Sequence, residues 1–325
     1  MKEVKRVNTF FLILVILHVG ASFIVSLLSM QAVKLGTYTS LMLTQLLILV
    51  PSFMFFLFLG YDILSWIPFK KLKGGTVALV VLFTFLIMPF VSFINVFSQL
   101  FAENVAVDMM SEMADLNPFI NLIIVGFIGP FCEEFTFRGV IYGGLRKSGY
   151  IVFAAAITGV YFGLMHLNIN QFSYALLLGF ILSLLVEATG SIWSSIIAHV
   201  IVNSWNMVMM LLADRLYSSI GIDVFKEAAE NADTDTMLVM MGFLLVISVA
   251  TSMLAAGVYI GICSHEGRLD HIKKIFKRKD AGTYAEGEEE SDGKVHVITA
   301  SGYLAMGLCI FVIFFLNMVL TYLIK

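Results

Sequence analysis

An all-α, polytopic bundle of transmembrane helices is the fold class this sequence predicts, and three observations predict it. Of 325 residues, 59% are hydrophobic and 13% charged, with a mean hydropathy of +0.94, whereas soluble domains carry about 25% charged residues. About nine apolar runs recur along the chain, most near the roughly 20 residues that cross hydrocarbon as a helix. Lysine and arginine gather in alternate intervening segments, as they do when positive charge is retained on one side of a membrane. The runs lack the alternating polar pattern of barrel strands, so a backbone that must satisfy itself in lipid points to helices.

The first run, about 8–33, follows Met1-Lys2-Glu3-Val4-Lys5-Arg6. It has no small-residue cleavage site and reads as an uncleaved first span. Runs at about 38–60 and 75–100 come next. Between them Tyr61–Lys73 mixes Ile63, Leu64, Trp66, Ile67 and Phe69 with lysines, as an interfacial segment does. Runs at about 118–146, 150–167, 170–187 and 191–213 are joined by short turns near Gly149 and Gly190, which makes them antiparallel neighbours. The last two runs fall at about 236–262 and 300–323, and the charged stretch 263–298 between them reads as a solvated cytoplasmic loop. Three parts follow: 1–117 with three spans and an acidic outer loop, a four-helix core at 118–213, and 214–325 with two spans.

With the N-terminus cytoplasmic, inner segments hold Lys2, Lys5 and Arg6, then Lys70, Lys71 and Lys73, then Arg146 and Lys147, then the run from Arg268 to Lys279. The outer 101–117 segment holds Glu103, Asp108, Glu112 and Asp115. This pattern suits a multi-pass protein of a bacterial cytoplasmic membrane. Net charge is −3 and the basic clusters sit at span ends, so the bilayer rather than nucleic acid is the expected partner. Cys132, Cys263 and Cys309 match no zinc or redox spacing. His18, alone in the first span, reads as a packing residue, and Glu187 as a membrane-surface group without a role. No oligomeric state follows from the sequence.

Ionisable groups inside a membrane cost several kcal/mol and mark functional candidates. Three neighbouring spans, the fourth, fifth and seventh, concentrate them. Glu133-Glu134-Phe135-Thr136-Phe137-Arg138 follows the helix-distorting pair Gly129-Pro130. At i and i+4 Glu134 and Arg138 can pair, which leaves Glu133, about 100° away, available. Phe162 and His166 share a second face, and His199 and Asn203 a third. Together they supply a carboxylate, two imidazoles and an amide, a set able to activate water and stabilise the resulting oxyanion. Glu133 lies 16 residues before Gly149 and His166 17 after it, each roughly 25 Å from that turn at about 1.5 Å per residue. His199, nine residues past Gly190, fits that level less well.

The ordered set E-E-x-x-x-R at Glu133, Glu134 and Arg138, F-x-x-x-H at Phe162 and His166, and H-x-x-x-N at His199 and Asn203 resembles the CPBP family. That family, also called Abi or type II CAAX endopeptidase-like, comprises multi-helix intramembrane proteases. The resemblance spans about 118–213. It implies an endopeptidase in which Glu133 activates water, His166 orients it or shares the proton, and His199 and Asn203 stabilise the oxyanion. Glu134, Arg138 and Phe162 are then supporting residues. It implies a membrane-associated peptide or protein as substrate and no cofactor. A zinc ion held by Glu133, His166 and His199 is the alternative, although the compact H-E-x-x-H arrangement is missing. Rival readings of the same residues are a proton-coupled transporter, and a scaffold or bacteriocin-immunity protein without turnover.

Overall fold

The computed structural model describes residues 1–30, 35–102, 113, 116–219, 234–277 and 296–323, and most of these are helical, with no strand among them. A helix occupies each of the nine apolar runs: α1 (Lys2–Met30), α2 (Thr37–Leu59), α4 (Gly74–Gln99), α5 (118–148), α6 (Ile151–Leu164), α7 (Ile169–Thr189), α8 (Ile192–Ser218), α9 (Thr234–His265) and α11 (Ala300–Leu323). Seven of them are long and apolar enough to cross a membrane. Ile151–Leu164 and Ala300–Leu316 are shorter, so nine full-length spans are not what length and composition support among the described residues. Outward faces expose Phe58 (79%), Val239 (75%) and Met253 (73%). Such surfaces are costly in water and neutral in hydrocarbon.

Two short helices lie at one end of the bundle. The interfacial segment contains α3 (Ile63–Trp66), capped by Asp62, whose side chain accepts from the Ser65 N–H at 2.7 Å. The second, α10 (Leu269–Lys277), lies inside the stretch expected to be a loop. Ile272 is buried there, with Leu269 and Ile275 packed against the same cluster. Their i, i+3, i+6 spacing builds one apolar face, while Lys273, Lys274 and Lys277 take the other. Val297 and Ile298, at the far end of that stretch, are also buried. Residues 278–295, most of the acidic 101–117 segment and most of 214–235 lie outside the described residues.

Two apolar clusters flank a seam. One joins α1, α2, α3 and α11 to α5 and α6, and the other joins α4, α9 and α10 to α7 and α8. Buried polar ties reinforce the first: the Asn8 amide donates to the carbonyls of Val4 (2.7 Å) and Val297 (3.0 Å), and Tyr161 donates its hydroxyl to Asn8 Oδ1. Gly149 (φ 82°) and Gly190 (φ 68°) occupy the predicted turns in left-handed conformation, which only glycine adopts without cost.

The α6–α7 crossing depends on missing side chains. Gly159 and Gly163 form a G-x-x-x-G pair on α6, and a Cβ at Gly159 would sit 2.6 Å from the Leu176 carbonyl. A Cβ at Gly179 of α7 would sit 2.7 Å from the Gly159 Cα. Backbones this close are the usual outcome of small residues at helix interfaces in lipid.

Candidate active site

Local sequence explains how α5 presents its acids. Pro130 has no N–H, so the Gly126 carbonyl loses its helical donor. The helix answers with wide, π-helical turns at 122–128 and 135–142 on either side of Gly129–Glu134. From α8, the Ser204 hydroxyl donates to the Gly126 carbonyl and the Asn203 amide to the Val125 carbonyl, each at 3.3 Å. Wide turns also spend more residues per ångström of rise. That brings Glu133 a few ångströms nearer the level of His199 than a uniform α-helix would.

Glu134 and Arg138 pair as predicted: Arg138 Nη1 lies 2.6 Å from Glu134 Oε1, and both side chains are 0% exposed. Arg138 Nη2 donates to the Gly179 carbonyl at 3.0 Å. The same Glu134 oxygen lies 2.8 Å from His199 Nδ1. Glu133 is turned away from this pair. Its Oε2 stands 3.7 Å from His199 Nε2, too long for a hydrogen bond but close for a charge. Among the described residues Glu133 has no hydrogen-bond partner.

His166 reaches the site from a turn rather than from a helix face, because α6 ends at Leu164. Its Nδ1 lies 2.9 Å from the Phe162 carbonyl. A carbonyl only accepts, so Nδ1 carries the proton and Nε2 keeps its lone pair. The next residue, Leu167, has φ 54°, a left-handed conformation that costs about 1–2 kcal/mol outside glycine. Asn168 stabilises this turn, donating to the His166 carbonyl at 3.0 Å and accepting from the Gln171 N–H at 2.8 Å, where it caps α7.

Phe162 ties the parts together. Its ring stands edge-on to His166 (5.1 Å) and to His199 (5.7 Å), and the Arg138 guanidinium lies over it at 4.7 Å. Glu133, His166, His199, Asn203 and Phe162 all line one cavity of about 520 Å³. Glu134 and Arg138 form its closed support. The site lies at the seam between the two apolar clusters.

Sequence reasoning missed other lining residues: Gln45 on α2, Asn95 on α4, and Tyr174 on α7. The signal was available for Gln45 and Asn95, since amides inside apolar runs need partners. Asn95 receives a 3.0 Å hydrogen bond from Asn170, which also donates to Ser98 at 2.8 Å. Glu187 was misjudged as a surface group. It is 1% exposed and accepts from Tyr142 (2.9 Å), Arg146 (3.1 Å) and His271 (2.7 Å), while Arg268 Nε donates to its carbonyl at 2.6 Å. Three basic partners from α5, α10 and the turn before α10 compensate its burial, a pattern that i, i+4 spacing cannot reveal.

No three His, Cys, Asp or Glu side chains among the described residues converge to hold a metal ion.

Residues 115–205, which contain every one of the predicted site residues, match the family model for type II CAAX prenyl endopeptidase Rce1-like proteins. This segment is similar to the Rce1-like CAAX-protease family. Over 96 residues the chain is 32% identical to the Bacillus subtilis (strain 168) protein named "Putative membrane peptidase YdiL". That match covers 30% of this chain and 39% of the relative, so the chain spans about two fifths of the relative's length. No solved structure matches the chain. The Rce1-like segment is α5 to the middle of α8, and α1 to α4 and residues 206–325 lie outside it.

Proposed function

We propose that the protein is an intramembrane endopeptidase that hydrolyses a peptide bond in a membrane-associated peptide or protein. The observation that carries this reading is the division of labour between adjacent carboxylates. Glu134 is consumed by Arg138 and His199, whereas Glu133 faces the cavity without a hydrogen-bond partner. A general base must be within reach of water and not locked in a strong pair.

In the proposed reaction Glu133 removes a proton from a cavity water, and the resulting hydroxide forms a bond to the scissile carbonyl carbon. His166 Nε2 accepts from the same water and orients it. His199 in its charged form keeps Nδ1–H on Glu134 and presents Nε2–H to the oxyanion. Asn203 lines the cavity with one amide N–H on Val125, and its second N–H is the one assigned to the oxyanion. The tetrahedral adduct collapses as the C–N bond breaks, and the proton held by Glu133 passes to the leaving amine. No metal takes part in this scheme.

Cleavage of a quenched peptide library by purified protein in detergent tests the reading, with wild type compared to Glu133→Gln in the presence and absence of a chelator. Chelator-resistant cleavage that disappears in the mutant is the expected result. Chelator-sensitive cleavage contradicts the metal-free mechanism, and no cleavage by folded wild type removes the peptidase reading.

A further inference from the structure

The four basic segments of the described chain meet at one end of the bundle. Lys147 Nζ stacks on Trp66 at 3.6 Å, Lys70 pairs with Glu266 at 3.0 Å, Lys73 donates to the His265 carbonyl at 2.6 Å, and Arg6 bonds Tyr61. At the opposite end Arg215 is the one basic side chain among the described residues, beside Asp214. By the positive-inside rule this asymmetry among the described residues places the lysine-rich end in the cytoplasm.

The cavity lies toward the other end. Measured from the basic-end start of α8 at Ile192, His199 is seven residues in, about 10 Å, and Asn206 is fourteen, about 21 Å. Asn95 is 21 residues from Gly74 at the basic-end start of α4, about 31 Å. Gln171 lines the cavity in the first turn of α7, whose last residue, Thr189, is at the basic end. His199 is therefore the deepest of these residues, and the wall runs from its level to the end away from the lysines.

Toward the basic end the route is shut by two layers. First comes Arg138 with Glu134 and Phe162, then Tyr142 with Glu187 and Arg146. Arg138, Tyr142 and Leu145 are each at most 1% exposed. A chain entering from that side would have to break both buried ion clusters.

We infer that the catalytic cavity opens to the extracytoplasmic half of the membrane and takes peptide segments already carried across it. This deepens the peptidase reading and rests on it. The substrate class is then an exported or membrane-anchored peptide whose scissile segment enters the cavity from the extracytoplasmic side. The process that supplies it is translocation or insertion across the membrane, which must precede cleavage. A peptide confined to the cytoplasm would meet only the sealed face.

The test uses full-length protein in spheroplasts and a charged, membrane-impermeant thiol reagent. The native cysteines are buried, so wild type serves as the low-background control. Asn206→Cys and Gln171→Cys probe the cavity, and Lys71→Cys probes the basic end. The expected result is labelling of both cavity variants in intact spheroplasts, with Lys71→Cys labelled only after permeabilisation. Labelling of Lys71→Cys in intact spheroplasts, or of the cavity variants only after permeabilisation, overturns the inference. The readout needs no turnover: outward labelling with no cleavage of any peptide removes the peptidase reading alone, and cleavage with inward labelling removes the access route alone.

Discussion

His199 Nδ1 stands 2.8 Å from Glu134 Oε1, the oxygen that also receives Arg138. One carboxylate oxygen thus sets the tautomer of the histidine and the position of the arginine. Its neighbour Glu133 is freed by this arrangement rather than by any special contact of its own. Replacing Arg138 with leucine leaves Glu134 charged and buried, a loss of about 3–5 kcal/mol for breaking a buried pair. Thermal unfolding in detergent should register it as a clear drop in midpoint, and an unchanged midpoint would show that the pair is not structural.

Glu133→Gln should separate chemistry from stability. The substitution keeps the shape of a side chain that makes no hydrogen bond among the described residues, so melting should match wild type. Turnover should fall by on the order of 10²–10⁴, the range assigned to a positioned general base. Retention of wild-type kcat by well-folded Glu133→Gln protein would end the mechanism proposed here.

Glu134→Gln asks whether His199 is positioned electrostatically. The amide oxygen can still accept from Nδ1, but the charge that stabilises the imidazolium is gone. The expected outcome is a fall in kcat with little change in KM, because the charged histidine acts on the transition state. A rise in KM with kcat preserved would assign Glu134 to substrate binding instead.

Alanine at Gly179 should disturb the site without touching a polar group. The new Cβ meets the Gly159 Cα at 2.7 Å, backbone that cannot rotate away. Separating α6 from α7 costs about 1–3 kcal/mol as overpacking. It also pulls the Gly179 carbonyl from Arg138, so activity and melting temperature should fall together. Gly257→Ala on α9, where nothing lies within 4 Å, should be neutral or slightly stabilising.

The basic end carries a pH dependence of its own. Burial pushes the Glu266 carboxyl up, but hydrogen bonds from Thr76 (2.5 Å) and Lys70 (3.0 Å), with the charges of Lys70 and Lys73, hold it below the usual range. A folded value below the unfolded value of about 4.3 means that the unfolded chain takes up the proton first as pH falls. The stabilisation is fully present above the unfolded value and is lost as pH drops through the folded one. The melting difference between wild type and Glu266→Gln should be flat from about pH 8 to 6 and shrink below about pH 4.5. Growth of that difference on acidification would contradict the assignment.

Helices were legible because hydrocarbon enforces them: apolar runs near 20 residues and the turns at Gly149 and Gly190 required no tertiary information. The Glu134–Arg138 pair was also legible, since i, i+4 spacing places two side chains on one face. The sequence also marked Glu133, His166, His199 and Asn203 as polar residues that an apolar run must place somewhere protected. Their meeting was a matter of tertiary structure, because it depends on how far each helix rises and how closely its neighbours approach. The π-helical turns around Gly129-Pro130, the glycine crossing of α6 and α7, and the left-handed Leu167 that turns His166 inward set those distances. Glu187 and α10 were misread for the same reason. Burial is decided by contacts between segments about 80 residues apart, such as Glu187 with His271, and no local pattern encodes them.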